Sequence, residues 1–486
     1  MTDKNNSAQY PNQAQISKCV VTKHNGKEDT LAPNMLLSFI VRESLLSPFI
    51  SAALVVSDSA NWINGKDPIE GGETIQINIK TAGKDEDEIY RYRIWKIGNR
   101  ISINNKQAYT LALVSEEAMK NEVTRVNKRI PGGGQQKDGK VPEMNIKDII
   151  TKLLRDYIKT SKPFKSEETK FKHVIIGSNR RPFDIISELA DKSVSTKGKV
   201  PFKQEESTSS GTKQVVKGTA GFFFWETKRG YNFFSVDAIC DEVGGAFSAP
   251  DFISEQHGVY KEKIANVEGV DARQIISRVV FRSEVDSMEA LRVGKYSTNM
   301  IFFNISTGQY EEYQYKVTDS YKNMAHLGNQ NKVSELKVGE QKLEAEPSRL
   351  ITAVLDHERW YNEPGIADPY DPKAEDPSVF ADWQKHFAAQ SIARKELLKN
   401  QEVTIEIPGD NTICAGDKVE IEIQKKAPDV EKEKNNIDEE SSGLYLVKDV
   451  EHSFRFAEGT SGIVKTTLQL FRDSYGLKDK PTEHGK

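Results

Sequence analysis

The segment Thr74–Lys80 alternates polar and apolar residues without exception, with isoleucine at Ile75, Ile77 and Ile79. Successive side chains of a β-strand point to opposite faces of a sheet, so this period of two predicts a strand with one buried face and one wet face. Similar runs bounded by turn-prone residues occur at Leu36–Val41, Ile50–Val56, Ile89–Ile97 and Ala108–Val114. The region from Gln15 to Ser115 is therefore predicted to form an antiparallel β-sandwich or β-barrel.

The same pattern returns near the other end of the chain, where Gly416-Asp417 stands in place of Gly72-Glu73. After the glycine and the acid, both copies continue with any residue, Ile or Val, polar, Ile, polar and Ile. Two further pieces match in the same order, Ile89-Tyr90 with Leu444-Tyr445 and Thr110-Leu111-Ala112-Leu113 with Thr467-Leu468-Gln469-Leu470. We interpret the match as duplication of one β-module, the alternative being chance likeness between two antiparallel sheets. Three such chains would present six similar modules in a ring.

In the segment that separates the two copies of the repeat, apolar residues recur at helical spacing instead of at every second position. Asn145 is a suitable N-cap for an amphipathic helix whose apolar positions are Ile146, Ile149, Ile150, Leu153, Leu154, Tyr157 and Ile158. A second helix is predicted to begin at Pro182, because a proline at the first helical position loses no hydrogen bond. Its inward residues are predicted to be Phe183, Ile186, Leu189 and Ala190. The stretches Pro131–Gly139 and Lys192–Lys217 are predicted to be mobile loops.

Strands are predicted to resume after this helical unit. The runs Gly221–Thr227 and Tyr231–Val236 flank Lys228-Arg229-Gly230, which has the length and composition of a tight hairpin turn. Further strands are expected within Asp271–Val317 and Val403–Phe471, whereas periodicity fades over Lys322–Leu343. Four prolines within Asn362–Pro377 exclude regular structure there, and a helix is predicted from Pro377 toward Leu398.

The predicted fold class is α+β, mainly β, with two antiparallel β-barrel or β-sandwich modules and a smaller helical and mixed unit inserted between them. A length of 486 residues, about three times a domain of roughly 150, fits several packed units. The predicted division is a flexible N-terminus at 1–15, a first β-module at 16–118, a helical and mixed unit with loops at 119–218, a hairpin belonging to the second module at 219–270, a mixed β and loop insertion at 271–376, a helix with the remainder of the second module at 377–475, and a flexible tail at 476–486.

Charge and cysteine content exclude several classes of partner. The chain has 68 Lys and Arg against 72 Asp and Glu, a net charge of -4, so it lacks the basic surface that sequence-specific nucleic-acid binding uses. No apolar run is long enough to predict a membrane span. Cys19, Cys240 and Cys414 form no CxxC pair and are predicted to be buried, inert thiols. Met1–Gln15 lacks the features of a signal peptide, so assembly in a cytoplasm is expected.

No constellation of residues predicts a catalytic, cofactor or metal site. None of the eight histidines has the spacing of a metal-binding pair, and the glycine motifs of serine hydrolases and nucleotide-binding folds are absent. His357-Glu358 comes nearest to a proton-transfer pair, but neighbours in sequence face opposite ways on a strand. The carboxylates of Asp85–Glu88 and Glu431–Glu440 fall in spacers, where solvation explains them. Aromatic residues cluster at Phe222–Trp225 and at Tyr310, Tyr313 and Tyr315, where a sheet packed on both faces explains them as well as a sugar or base platform does.

The order of these segments resembles the central baseplate hub proteins of contractile-tailed bacteriophages, which are related in fold to the N-terminal part of type VI secretion spike proteins. Ser178–Ala190 is similar to the polar-Pro-Phe-x-x-Ile-x-x-Leu-Ala helix of hubs, and the hairpin around Lys228–Gly230 follows it. At the C-terminal end a helix, Gln384–Leu398, leads into Val403–Gly409, Ala415–Val419, Tyr445–Phe454 and Thr467–Ser474. The duplicated module is the third similarity, since hubs contain two tail-tube-like domains per subunit.

The resemblance implies a non-enzymatic structural protein without a cofactor, a homotrimeric ring that adapts a trimeric spike to a hexameric tail tube and nucleates tube assembly. It implies contacts with the spike protein, the tail tube or a tube-initiator protein, and neighbouring baseplate wedge proteins, in a virion assembled in the bacterial host cytoplasm. The stretches 192–217, 322–377 and 425–443 exceed what a minimal hub needs. Two other classes stay open, a tail-associated cell-wall hydrolase acting through carboxylates and a carbohydrate-binding adhesin using Tyr310, Tyr313 and Tyr315.

Overall fold

A computed structural model describes residues 12–65, 67–81, 86–103, 105–132, 144–207, 213–241, 255–262, 272–283, 286–303, 310–329, 333, 336–354, 379–426, 436–456 and 461–476. Strands dominate these ranges, and helices are fewer and mostly short. The predicted mainly-β, α+β class is confirmed.

The first part of the chain forms antiparallel strands. The alternating run is β5, in which Ile75, Ile77 and Ile79 are fully buried, as its period predicts. The elements of this part are β1 (Gln13–Thr22), β2 (Glu28–Thr30), β3 (Leu36–Ser44), β4 (Ser51–Asp58), β5 (Thr74–Thr81), β6 (Glu88–Ile103), β7 (Lys106–Val114) and α1 (Glu116–Val123).

Helices and short strands follow. The Asn145 side chain accepts a hydrogen bond from the Lys147 backbone N–H at 3.1 Å, so the predicted N-cap of α2 is confirmed. Pro182 stands at the start of α3, also as predicted, and α2 continues into a π-helical turn, Leu153–Ile158. The elements are β8 (Arg129–Ile130), β9 (Met144–Asn145), α2 (Ile146–Lys152), β10 (Phe164–Ser166), β11 (Lys172–His173), β12 (Ile175–Ile176), α3 (Pro182–Asp191), β13 (Val194–Ser195), β14 (Pro201–Ser207), β15 (Lys213–Lys217), β16 (Thr219–Ala220), β17 (Phe222–Thr227), β18 (Gly230–Ser235) and α4 (Val236–Cys240).

The prediction of a mobile loop over Lys192–Lys217 is wrong. Three strands lie within it, and β14 and β15 pair with each other in antiparallel register. Two strands that hydrogen-bond to each other satisfy the backbone groups on their facing edges without an apolar face, so a polar composition does not prevent a hairpin. Most of the glycine-rich stretch Pro131–Gly139, from residue 133 onward, lies outside the described residues.

The third part alternates strands and helices. Strands expected within Asp271–Val317 are present, but α5 in their midst was not predicted. The proline-rich Asn362–Pro377 and the pair His357-Glu358 lie outside the described residues. The elements are β19 (Gln256–Glu262), β20 (Ile275–Ile276), β21 (Arg278–Ser283), α5 (Ser287–Val293), β22 (Ser297–Phe303), β23 (Tyr310–Lys316), α6 (Val317–Tyr321), β24 (Lys337–Val338), β25 (Gln341–Lys342), β26 (Arg349–Val354) and α7 (Val379–Leu397), the last matching the helix predicted from Pro377.

Strands from both ends of the chain share one 14-stranded sheet. The last four strands are β27 (Gln401–Pro408), β28 (Lys418–Glu422), β29 (Gly443–Phe456) and β30 (Ser461–Arg472). One closed circuit of pairings runs β29-β3-β4-β7-β6-β5-β1-β30 and returns to β29. A second runs β19-β28-β29-β30-β27-β21, and β20, separated from β21 by one residue, pairs back onto β19. The hairpin of β29 and β30 belongs to both circuits.

Each circuit encloses its own hydrophobic core. The first core holds the buried faces of β1 and β3–β7 together with Phe454, Phe456 and Val464 from the far end of the chain. The second holds those of β27 and β28 with Val447, Val450, Leu468 and Leu470. One face of the β29–β30 hairpin is therefore buried in both cores. Near the base of the hairpin this face lies in the second core, and near the tip of the hairpin it lies in the first.

The hairpin of β17 and β18, expected in the sheet of the second module, pairs instead with β10 in a separate three-stranded sheet. Both of its faces are covered. Phe222, Phe224 and Phe233 pack against α2 and α3, and Phe223, Trp225 and Phe234 pack against the second half of the large sheet.

Replacing Phe454 with Ala tests the role of the shared hairpin. We expect a loss of about 3 to 5 kcal/mol in the free energy of unfolding, because the ring is fully buried in the first core. Amide exchange should accelerate in β3, which pairs with the strand that carries Phe454. Ile463→Ala on the exposed face of the same hairpin is the control and should change stability by no more than about 0.5 kcal/mol. Unchanged exchange in β3 would contradict closure of the first core by this hairpin.

Candidate functional site

The two copies of the sequence repeat share one backbone geometry. Gly72 has a φ of 90° and Gly416 a φ of 88°, a left-handed conformation that glycine adopts without strain. The Gly72 N–H donates to the carbonyl of Ile94 at 2.6 Å, and the Ile94 N–H donates back to the Glu73 carbonyl at 2.9 Å.

The second copy reproduces both bonds with Gly416, Val447 and Asp417, at 2.9 and 2.8 Å. The acid of each copy is buried and caps the turn before it. Glu73 accepts from the Gly71 N–H at 2.9 Å, and Asp417 accepts from the Cys414 N–H at 2.9 Å. The shared Gly-acid pair is therefore a shared structural device.

The register beyond the turn also agrees. Ile94 lies opposite Leu113, and Val447 lies opposite Leu470. A β-bulge follows at once in both copies, between Ile94 and Lys96 and between Val447 and Asp449. The pairing confirms that Thr110–Leu113 corresponds to Thr467–Leu470.

The predicted match of Ile89-Tyr90 with Leu444-Tyr445 is wrong by two residues. Tyr445 lies opposite Val419, and the residue in the same place opposite Ile75 is Tyr92, two positions after the Tyr90 chosen from the sequence. A shift of two residues keeps every side chain on its own face, so alternation alone cannot distinguish the two alignments.

The equivalence extends to the neighbouring strands. Leu54 of β4 lies opposite Leu111, as Ile405 of β27 lies opposite Leu468. On the outer side β3 pairs with β4 as β21 pairs with β27, both antiparallel. The match ends at the next strand, because β1 runs antiparallel to β5 whereas β19 runs parallel to β28. Five consecutive strands of each half thus have one order, and their pairings correspond apart from a second bulge in β6, between Gly98 and Ile101, that β29 lacks.

A charged hairpin tip lies at the junction of the two halves. The Arg229 guanidinium forms two hydrogen bonds with the Asp417 carboxylate, at 2.9 and 3.0 Å, and donates to the Thr412 carbonyl at 2.7 Å. His257 of β19 contacts the same carboxylate at 2.8 Å. Lys228 pairs with Glu88 of β6 at 2.9 Å and also donates to the Asn411 carbonyl, so this turn binds both halves.

Glu43 of β3 completes this junction. Its carboxylate accepts from the Lys228 N–H at 2.8 Å and from the Ala415 N–H at 3.2 Å, which connects the first half, the hairpin tip and the Gly416 turn. The side chain is buried, and burial raises the pKa of Glu43 to about 7. Trp225 adds a hydrogen bond from its indole N–H to the Ala415 carbonyl at 2.9 Å.

A second buried ionic cluster anchors α7. Arg394 has no exposed surface and contacts Asp237 at 2.9 Å and Asp473 at 2.7 Å. His326 contacts Asp473 at 2.8 Å. Burial would raise the pKa of Asp473, but the charges of His326 and Arg394 hold it well below its usual range. At Asp237 the effect of burial on the pKa exceeds the opposing effect of the Arg394 charge, so the pKa of Asp237 is raised. The cluster joins α7, α4 and the end of the large sheet.

The residues singled out from the sequence fall mostly in cores. Phe222–Trp225 are all buried, and the three cysteines are buried free thiols, as predicted. Tyr315 is buried, Tyr313 is half-buried and Tyr310 is exposed, and Tyr310 lies on the other face of β23, so the three form no continuous platform. The carboxylate runs lie partly outside the described residues, and Glu88 from one of them is engaged in the junction.

A cleft of about 310 Å³ lies beside the end of α7. Burial lowers the pKa of Lys295, which lines it, to about 8, and Lys295 donates to Asn400 at 2.5 Å. Among the described residues, no three His, Cys, Asp or Glu side chains form a group that could hold a metal ion. No helix in the described ranges is long and apolar enough to cross a lipid bilayer.

No protein-family model and no curated protein matches the sequence. Among solved structures, the tail protein from Neisseria meningitidis MC58 is 13% identical, with 94% of this chain and 96% of that chain covered and a TM-score of 0.47. The prophage MuSo2 43 kDa tail protein from Shewanella oneidensis is 9% identical, with coverages of 94% and 99% and a TM-score of 0.49. An E. coli protein described as a component of the type VI secretion system is 10% identical, with coverages of 96% and 79% and a TM-score of 0.41. Two of these neighbours are thus tail proteins, and the third is a component of a type VI secretion system.

Replacing Arg394 with Met tests the buried cluster. The variant keeps an unbranched side chain but leaves two buried carboxylates without their cation, so we expect a loss of about 3 to 5 kcal/mol in the free energy of unfolding in urea. Lys395→Met is the control, because its pair with Asp191 lies at the surface and should contribute no more than about 1 kcal/mol. Equal effects of the two variants would contradict the anchoring of α7 by this cluster.

Replacing Glu43 with Gln tests the junction through pH. Between the ordinary pKa of 4.5 and the folded-state pKa of about 7, the folded protein keeps a proton that the unfolded chain has lost, so this group's contribution to stability falls as pH rises. From pH 5 to pH 8 the stability of Glu43→Gln relative to wild type should therefore rise, by roughly 2 kcal/mol. The exposed Glu28→Gln is the control. A pH-independent difference for Glu43→Gln would show that Glu43 does not titrate in this way.

Proposed function

We propose that this protein is the structural hub of a contractile phage tail baseplate, a homotrimeric ring that joins a trimeric spike to the hexameric tail tube. The observation that carries the proposal is the register-level equivalence of the two halves, from the Gly72 and Gly416 turns to the two matching β-bulges. A chain with two equivalent β-units allows three copies to present six units. The duplication thus supplies the means of matching threefold to sixfold symmetry.

The contact between the two units supports a ring. Within one chain, the β29–β30 hairpin of the second unit extends across the border and pairs with β3 and β1 of the first. A closed ring repeats one head-to-tail contact until the last unit meets the first. One such contact is made inside each chain, and the remaining three would be made between chains.

The charged junction supports a rigid adaptor. Glu43, Lys228 and Arg229 connect both units to the β17–β18 hairpin through hydrogen bonds in a buried setting, where a change of angle would break several of them. A fixed angle between units is what a template for tube assembly requires. In this proposal each unit imitates one subunit of a tube layer, and the ring nucleates the tube.

The remaining partners follow from that role. One face of the ring would bind the tail tube or a tube-initiator protein, and the other the spike protein. Neighbouring baseplate wedge proteins would contact the periphery of the ring. The stretches 192–217, 322–377 and 425–443, which exceed what a minimal hub needs, would serve these contacts. The near balance of 68 basic and 72 acidic residues suits packing against other proteins. The role is non-enzymatic, and the place of action is the virion, after assembly in the host cytoplasm.

The mass of the purified protein tests the ring directly. Mass photometry at nanomolar concentration and light scattering at micromolar concentration should give three times the mass of one chain. A stable monomer at micromolar concentration would contradict the proposal. Zymography of the same preparation on cell-wall substrate should show no clearing, and clearing that depends on the protein's carboxylates would favour the hydrolase instead.

A further inference from the structure

The contact inside the chain provides a template for the contact between chains. In that contact β29 adds to the outer edge of β3 in antiparallel register, with Ser453 opposite Ile40 and His452 opposite Val41. By the equivalence of the two halves, the strand corresponding to β29 is β6, and the strand corresponding to β3 is β21. If the contact repeats around a ring, β6 of one chain adds to β21 of the next.

The end of the β6–β7 hairpin is suited to such a role. Beyond Arg93, β6 pairs with no strand other than β7 in the part of the chain that the structure describes. This unpaired part of β6 carries two large apolar side chains, Trp95 and Ile101, and Ile101 is 57% exposed. The segment 95–107 carries three basic residues and no acidic one.

The outer edge of β21 has the matching features. Within the described ranges β21 pairs only with β27. Phe281 is 38% exposed, whereas Val41 at the equivalent place in β3 is 2% exposed beneath the incoming hairpin. The two arginines of β21 are engaged with β27, Arg278 at 3.6 Å from Glu406 and Arg282 at 3.0 Å from the Thr404 hydroxyl. The edge thus lacks the cover that the equivalent edge of β3 has.

The register of the contact can be transferred through the partner strands, β7 and β30, because β6 has a second bulge, between Gly98 and Ile101, that β29 lacks. Ile101 lies opposite Ala108, three positions before Leu111, as Ser453 lies opposite Lys465, three positions before Leu468. Val280 lies opposite Thr404, in the place where Ile40 lies opposite Ala53. The pair equivalent to Ser453 and Ile40 is therefore Ile101 and Val280, two exposed apolar residues.

We propose that the β6–β7 hairpin adds to β21 of a second copy of this chain, antiparallel, with Ile101 opposite Val280. This inference rests on the proposed ring. The junction differs from the intrachain one, because Ser102 and Gln107 replace Phe454 and Val464 at the inward positions and because β20 closes the second circuit against β19. The proposed contact between chains is a strand pair on the surface, whereas the contact within the chain inserts side chains into a core. A surface pair can form between chains that have already folded.

A disulfide between chains tests the register. Opposite residues of antiparallel strands have Cα atoms about 4.5 to 5.5 Å apart, within the usual range for a disulfide. The double variant Ile101→Cys with Val280→Cys should, on mild oxidation, give covalent dimers and trimers on a non-reducing gel that a reductant reverses. Ser102→Cys with Val280→Cys is the matched control and should give several-fold less, because residue 102 faces the other way. The native cysteines are buried.

The possible outcomes separate the two proposals. If the protein forms trimers but neither cysteine pair cross-links, or both pairs cross-link in equal amounts, the proposed strand pairing is wrong and the proposed ring is unaffected. A wild-type protein that is monomeric would overturn the ring itself.

A charge at the contact gives a second, independent readout. Ile101→Arg should raise the dissociation constant of the trimer by about tenfold or more, since it places a charge against Val280 and Arg278. Ile89→Arg on the same strand is the control and should leave it within about twofold, because Ile89 is equally exposed but β5 already occupies that edge. Equal effects of the two variants would overturn the proposal.

Discussion

The hairpin of β29 and β30 is the interaction on which the rest of the structure depends. Its base, with Val450 and Leu468, lies in the second core, and its tip, with Phe454 and Val464, lies in the first. A strand with one face buried along its whole length cannot bend between the two cores without exposing apolar surface. Residues from the two ends of the chain are therefore joined in one sheet, and the relative placement of the two halves is set by β-sheet hydrogen bonds.

Buried polar and charged groups also hold the two halves together. At the border between the cores His452 is buried, its pKa lowered to about 4 by burial, with Nε2 placed 3.3 Å from the Ile413 carbonyl. Around the border, Glu43, Lys228 and Arg229 pair across elements that are far apart in sequence. Buried ion pairs contribute little net stability compared with apolar packing, but the hydrogen bonds of these pairs depend on the distances and angles between the groups they join. In a protein proposed to set an angle between neighbouring units, that geometric requirement is the useful property.

Local patterns in the sequence predicted local elements well. The period of two at Ile75, Ile77 and Ile79 predicted β5, and Asn145 and Pro182 predicted the starts of two helices, because each signal depends on neighbours within one turn or one strand. The repeat predicted corresponding strands in the two halves, but the sequence alignment at Tyr90 was two residues out of step. Alternation fixes the face of a residue and leaves the register to partners elsewhere in the chain.

Long-range features were beyond local patterns. Nothing near Arg394 indicates that it meets both Asp237 and Asp473, and nothing near Phe222 indicates that its hairpin pairs with β10. The polar composition of Lys192–Lys217 concealed a pair of strands, since two strands can pair through the backbone groups on their facing edges without an apolar face. The closing of the first core by Phe454, some 400 residues from its partners in β3, could be found only from the folded chain.

In the proposed assembly the two halves of each chain are equivalent units of one ring. Electron microscopy of the purified protein tests it most directly, through class averages of particles seen along the ring axis. We expect a ring with six similar lobes around a central opening and strict threefold symmetry, in which neighbouring lobes differ in detail and alternate around the ring. Monomeric particles, or a threefold assembly in which the two halves of each chain lie at different radii from the axis, would contradict it.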